Sequence, residues 1–177
     1  PMQFIYTSAP QRVRFGAGSV RHLNEELDQL GARRALVLST PQQRGVAEGI
    51  ATTMGARAAG IYDQAVMHVP MESARAAQQI AKEMGADCAV AVGGGSTIGL
   101  GKAIALDSGL PILAIPTTYA GSEMSPIFGL TENGVKRTGK DLRVLPKTVI
   151  YDPELTVGLP VAMSVTSAIN AIAHAAE

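Results

Sequence analysis

The stretch AVAVGGGSTIGLGK, residues 89–102, constrains the fold more than any other part of the chain. Four small apolar residues run directly into Gly93, Gly94 and Gly95, and Ser96 then opens a segment of helical composition. That order describes a buried strand turning sharply into a helix. Residues without a Cβ let the backbone take φ > 0 and come close to a ligand. The first amides of the helix have no partner inside it and sit at the positive end of its dipole. Such a turn binds an anion, phosphate above all, with Ser96 either capping the helix or donating its hydroxyl to a phosphate oxygen. Lys102 follows a turn and a half later. The pattern is neither GxGxxG nor the P-loop, so taken alone it is equally an ordinary glycine-rich turn with nothing bound.

The rest of the chain repeats this unit. Residues 3–15 alternate apolar and polar side chains around Pro10, as two short strand pieces would, and Ser19 is placed to cap a helix over 20–30. Residues 35–38 form a short buried strand ending at Ser39 and Thr40, followed by helical spacing over 42–54. A weaker strand at 58–62, a linker at 63–70 and a helix over 72–84 closed by Gly85 make the next unit. Then come the strand at 88–92, a helix over 97–106, a strand at 111–115 and another at 149–151. Glu132 to Gly134 (ENG) reads as a hairpin turn, and Asp152 to Leu155 as a helical turn. Strands alternating with helices imply an α/β fold with a doubly wound parallel sheet, whose ligands lie beyond the carboxyl ends of the strands. Ser39 and Thr40, Gly93 to Ser96, and the segment 116–122 with Thr117, Thr118 and Ser122 should therefore line one crevice. Hydroxyls instead of a carboxylate after the second strand leave room for a 2′-phosphate, so NADPH is expected to be tolerated as well as NADH.

Residues 161–177 carry apolar side chains at helical spacing, with Ser164 or Ser167 as candidate caps. Asn170 and His174, four apart, fall on one face, as paired ligands would or as two surface residues would. This helix reads as the start of a second, all-helical domain, giving a dinucleotide-binding domain over 1–160 and a truncated helical domain from 161.

Composition narrows the partner. The 177 residues are 46% hydrophobic, with 15 basic and 15 acidic side chains, so no attraction to nucleic acid or anionic lipid is written into the chain. No apolar run approaches the roughly 18 residues that cross a bilayer. A single cysteine, Cys88, excludes an internal disulfide framework and fits a reducing, cytoplasmic setting. A small molecule is the expected partner.

Four stretches in sequence, GGGSTIGLGKAIAL (93–106), AIPTTYAGSEMSPI (114–127), VLPKTVIYDPELTVGLP (144–160) and SAINAIAHAAE (167–177), resemble in order and spacing the maleylacetate reductases. These form a branch of the iron-containing alcohol dehydrogenase superfamily, and the resemblance runs over residues 15–177, the amino-terminal half of the family's usual length. It implies an α/β nucleotide-binding domain followed by a helical domain, with the active site between them. It assigns Gly93, Gly94, Gly95 and Ser96 to the pyrophosphate loop. Thr117, Thr118 and Ser122 fall to the second cofactor loop, and Lys136 to a cofactor-contacting lysine. Ser39 and Thr40 stand near the acidic residue that favours NAD in many relatives. Asn170 and His174 fall where metal-dependent members carry an aspartate and a histidine as ligands. An amide is a poor donor for divalent iron or zinc, and Gly99 replaces an aspartate common after the glycine turn; both departures point to the metal-independent branch. Ala168 stands where glycine is expected. The implied reaction is reduction of the C=C bond of maleylacetate, a dicarboxylate, to 3-oxoadipate by NADH or NADPH, with Asn170 and His174 as catalytic candidates, in a homodimer. Residues 1–177 alone would bind cofactor without turnover. The alternatives are a metal-dependent alcohol or glycerol-type dehydrogenase and a nucleotide-binding module without catalysis.

Overall fold

A computed structural model of the chain describes residues 9–176, the side chains of 174–176 excepted. The first expected strand piece, before Pro10, falls outside the described residues. Six strands form one sheet: β1 (Arg12–Phe15), β2 (Ala35–Leu38), β3 (Ala58–Tyr62), β4 (Cys88–Gly93), β5 (Ile112–Pro116) and, after a hairpin, β8 (Thr148–Tyr151). Their order is β1-β8-β5-β4-β2-β3, and every pairing is parallel. All residues of β2, β4 and β5 are buried. Continuous apolar runs such as CAVAV and ILAI are what a strand covered on both faces requires.

Helices α1 (Leu23–Gln29) and α2 (Arg44–Met54) cover one face, where Leu23, Leu27, Ala47 and Ile50 pack on Val37, Val90 and Ile115. Helices α3 (Met71–Glu83) and α4 (Gly95–Ser108) cover the other, where Ala77, Ala81, Leu100 and Ile104 meet Leu36, Leu38 and Ala89. Small residues on α3 and α4 let these helices lie close to the sheet. The antiparallel hairpin of β6 (Ile127–Glu132) and β7 (Val135–Lys140) turns at Asn133 and Gly134, with φ of 51° and 75°. Two consecutive positive φ values are what a two-residue hairpin turn demands, and Asn-Gly supplies them. Helix α5 spans Val161–Ala176.

Several helix starts differ from the sequence reading. Residues 19–22 and 41–43 form short 3₁₀ turns ahead of α1 and α2, so Ser19 caps no helix; its buried hydroxyl donates to the Tyr151 carbonyl. α5 begins directly after Pro160, so Ser164 and Ser167 lie inside it. Proline ahead of the first turn pre-sets the backbone there without a side-chain cap.

Candidate active site

Strand order reverses between β2 and β4. The chain leaves β2 for β3 on one side and β4 for β5 on the other. A crevice opens outside the carboxyl ends of the strands at such a switch point, and the glycine turn closes β4 there.

Gly93 has φ 152°, and a Cβ on it would stand 2.5 Å from Thr97 Oγ1 and 2.8 Å from Gln43 Oε1. A Cβ on Gly94 would stand 2.9 Å from Thr118 Cγ2. Neighbouring side chains thus press directly on bare backbone at both positions. α4 starts at Gly95, two residues earlier than its composition implies, and Gly94 takes the cap position. The Thr97 and Ile98 amides both donate to the Gly94 carbonyl, each at 3.1 Å. The amides of Gly95 and Ser96 precede them and have no acceptor within the helix. Ser96 is therefore a first-turn residue, not the cap.

The ends of β2, β4 and β5 are brought together. Gln43 Nε2 donates to Thr117 Oγ1 at 2.7 Å, spanning from the turn after β2 to the end of β5. Thr118 lies against Gly94, and Ala120 against Gly95. Of the two hydroxyls after β2, Ser39 is completely buried with its Oγ unpartnered, while Thr40 keeps partial exposure. Ser39 acts through its backbone, donating to Tyr62 and accepting from Ala65. Thr117 is also buried.

Two connected clefts lie beside the turn. A cleft of 270 Å³ is lined by Gly95, Ser96, Gly99, Ser122 and Lys136 among others. A larger one of 900 Å³ shares Ser122 and Lys136 and reaches Asn170 on α5. Gly95, Ser96, Ser122, Lys136 and Asn170 thus face connected space, whereas Ser39, Thr40 and Thr117 line neither cleft. Thr118 lines a third cleft, of 460 Å³, with Phe15, Tyr151 and Glu123, which shares Tyr119 and Gly121 with the 900 Å³ one. There Tyr151 donates its hydroxyl to Glu123 Oε1 at 2.6 Å, and burial together with that bond pushes the phenol up. His174 stands one helical turn after Asn170.

Gln43 is a site residue that the sequence does not announce, and Lys102, named beside the glycine turn, has a role that only the fold reveals. Lys102 is 1% exposed, and its Nζ donates to the carbonyls of Ser125 and Ile127 at 2.8 and 2.7 Å. Burial lowers its pKa to about 8, against the pull of Glu123. It ties the loop bearing Ser122 to α4. A lysine within a helix reads as solvated by default; the signal was its place in a helix whose neighbours are all apolar or small. Cys88, by contrast, is inert: burial pushes its thiol up to about 12.

The sequence profile of the iron-containing alcohol dehydrogenases matches residues 10–153. The chain belongs to that family. It is 64% identical over 174 residues to a maleylacetate reductase from Burkholderia cepacia, covering 98% of this chain and 49% of the relative. The crystal structure of maleylacetate reductase from Agrobacterium tumefaciens superposes with a TM-score of 0.97 at 55% identity, covering all of this chain and 51% of that one. A more distant structure, sulfoacetaldehyde reductase from Bifidobacterium kashiwanohense in complex with NAD+, has a TM-score of 0.86 at 24% identity over 94% of this chain and 50% of that one, and shares the fold. The chain spans about half the length of the curated relatives it matches.

The family's name implies iron. The two candidate ligand positions on α5 hold an amide and an imidazole, Asn170 and His174. An imidazole is a donor that divalent iron favours, whereas the neutral amide of Asn170 is a poor one.

Proposed function

We propose that the protein containing this chain is a maleylacetate reductase, which uses NADH or NADPH to convert maleylacetate to 3-oxoadipate in the breakdown of aromatic compounds. The observation that carries this reading is the meeting of unpaired helix amides, Ser122, Lys136 and Asn170 on connected clefts at the switch point, in a chain 64% identical to a maleylacetate reductase. When bound, the nicotinamide supplies hydride. Gly95 and Ser96 offer backbone N–H groups, and Lys136 a positive charge, to the dinucleotide's diphosphate. Thr118 and Ser122 offer hydroxyls to the same ligand, and the partly exposed Thr40 to its ribose. Buried Ser39 and Thr117 shape the crevice from behind.

Hydride arriving at the conjugated alkene places negative charge on the enolate oxygen, so the site needs donors there and a proton for the other carbon. Asn170, which lines the larger cleft, offers a neutral amide N–H to that polar end of the substrate, and His174, one helical turn on, is the second residue proposed for it. A neutral donor stabilises the enolate without a metal's charge. The apolar side chains that α5 leaves exposed, Val165, Ile169 and Ile172 among them, support reading 161–177 as the first helix of a helical domain. Among the described residues no helix is long and apolar enough to cross a membrane. A lone buried thiol supports a cytoplasmic setting, and a homodimer is the assembly proposed.

The test is the loss of NADH or NADPH absorbance by the intact natural polypeptide given maleylacetate, with and without a strong chelator. Turnover that survives chelation is expected. Chelator-sensitive oxidation of simple alcohols, with no reduction of maleylacetate, would contradict the reading.

A further inference from the structure

The 270 Å³ cleft beside the glycine turn is walled by three basic side chains, His68, Lys102 and Lys136. Among the described residues no carboxylate lines it. Lys102 is committed to the Ser125 and Ile127 carbonyls, whereas among the described residues His68 and Lys136 make no side-chain hydrogen bond or ion pair with the protein. Both are exposed to the cleft's solvent.

The backbone that carries His68 is unusual. His68 has φ 65° and Val69 φ 36°, two consecutive left-handed residues with no glycine. A β-branched residue in that region is strained, and such strain persists only where surrounding contacts enforce it. Those contacts are present on both sides. Val69 is buried, and its Cγ2 would lie 2.9 Å from a Cβ on Gly99 of α4. Its carbonyl accepts from the Thr131 amide at 3.1 Å, and Pro70 bridges to Thr131. The loop is therefore clamped between α4 and the hairpin, with His68 held on the cleft wall. The bare backbone of Gly99 is the space into which Val69 fits.

We infer that His68 is an oxyanion-binding residue of this cleft, positioned by the packing of Val69 on Gly99. The inference rests on the proposed dinucleotide-dependent reduction. Two sources carry the chemistry it recognises: the diphosphate of the dinucleotide and a carboxylate of the substrate. The imidazole and the Lys136 ammonium, both lining the cleft, give such an anion two side-chain donors beyond the helix amides.

The experiment measures NADH affinity by calorimetry, with inorganic pyrophosphate as competitor, and the KM for maleylacetate, in the intact polypeptide. Wild type, His68→Asn and His68→Arg are compared. Asparagine tolerates the left-handed backbone, so the variant removes the imidazole without removing the loop. His68→Asn is expected to weaken one of the two by about tenfold, the scale of one charge-assisted contact, and His68→Arg to restore most of it. A rise in the dissociation constants of NADH and pyrophosphate identifies the diphosphate; a rise in KM alone identifies the carboxylate. Gly99→Ala should reproduce the defect by displacing Val69, and Val69→Ala in the same chain should relieve it. If wild type binds NADH and turns over while His68→Asn matches it in both measurements, this inference falls and the reductase reading stands. If Gly99→Ala is silent, or Val69→Ala fails to relieve it, the positioning by Val69 is overturned. If wild type takes up no NADH, both fall together.

Discussion

At the scale of single residues, the glycine turn is decided by what surrounds it. Gly93, Gly94 and Gly95 look alike in sequence, yet an added methyl meets Thr97 Oγ1 at 2.5 Å, Thr118 Cγ2 at 2.9 Å and Ala120 Cβ at only 3.8 Å. Alanine substitutions should therefore destabilise in that order. Gly93→Ala costs about 2–3 kcal/mol, combining overpacking with an unfavourable φ, and Gly95→Ala, in the first turn of a helix with only ordinary contact, stays within about 1 kcal/mol of wild type. Urea titration checks the ranking; equal losses at the three positions would contradict it. Lys102 yields a second prediction. Replacing it by Met leaves the Ser125 and Ile127 carbonyls without their donor and should cost about 1–3 kcal/mol near neutral pH. Its folded pKa of about 8 lies below the ordinary 10.5. Between those values the unfolded chain binds more protons than the folded one, so the Lys102 contribution to stability rises with pH there. The stability gap between wild type and Lys102→Met should widen from pH 8 to 10.5, and a gap constant across that range would refute the buried charge.

At the scale of elements, β1 is an edge strand held by charge as much as by pairing. Glu26 on α1 is fully buried, and Arg12 and Arg14 on β1 each bind its carboxylate, Nε to oxygen at 2.5 and 2.6 Å. Burial alone would raise the carboxyl's pKa, but the two arginines more than offset it and hold the group below its usual value. A carboxyl lowered in the fold stabilises above its unfolded pKa and loses that contribution as pH falls through the folded one. Glu26→Gln should lower stability by about 1–3 kcal/mol at pH 7, with the difference vanishing in acid. Thermal melts at pH 7 and pH 3 measure it; a loss undiminished in acid would contradict the charge pairing. The elements themselves were largely legible. Runs such as ALVL and CAVAV can only be strands buried on both faces, and Asn133-Gly134 announces its hairpin. The starts of helices were not legible, because Ser19, Ser96 and Ser164 all look like caps. The distant Asp152 carboxylate, Gly94 and Pro160 took those places instead, a choice that tertiary packing makes and composition does not record.

For the whole molecule, the parallel order of strands places the ends of β2, β4 and β5 side by side, and three loops distant in sequence become one site. The sequence pointed to those loops through their small and hydroxylated residues. It did not reveal which hydroxyls face the crevice, since Ser39 and Thr117 turn inward while Ser96 and Ser122 line the cleft. Gln43 and His68 were invisible, because an amide in a turn and a histidine two residues before a proline carry no periodic signal. Their importance arises only from contacts made across the fold. The departure at Gly99 was visible as a residue, but its physical meaning, room for Val69, arises only in the folded chain.

The central claim is that the amides opening α4 hold the diphosphate of a nicotinamide dinucleotide. A crystal structure of the intact polypeptide grown with NADH tests it most directly. The account predicts phosphate oxygens about 2.7–3.2 Å from the Gly95 and Ser96 nitrogens, with Lys136 alongside. A dinucleotide bound with its diphosphate away from the turn after β4 would contradict it.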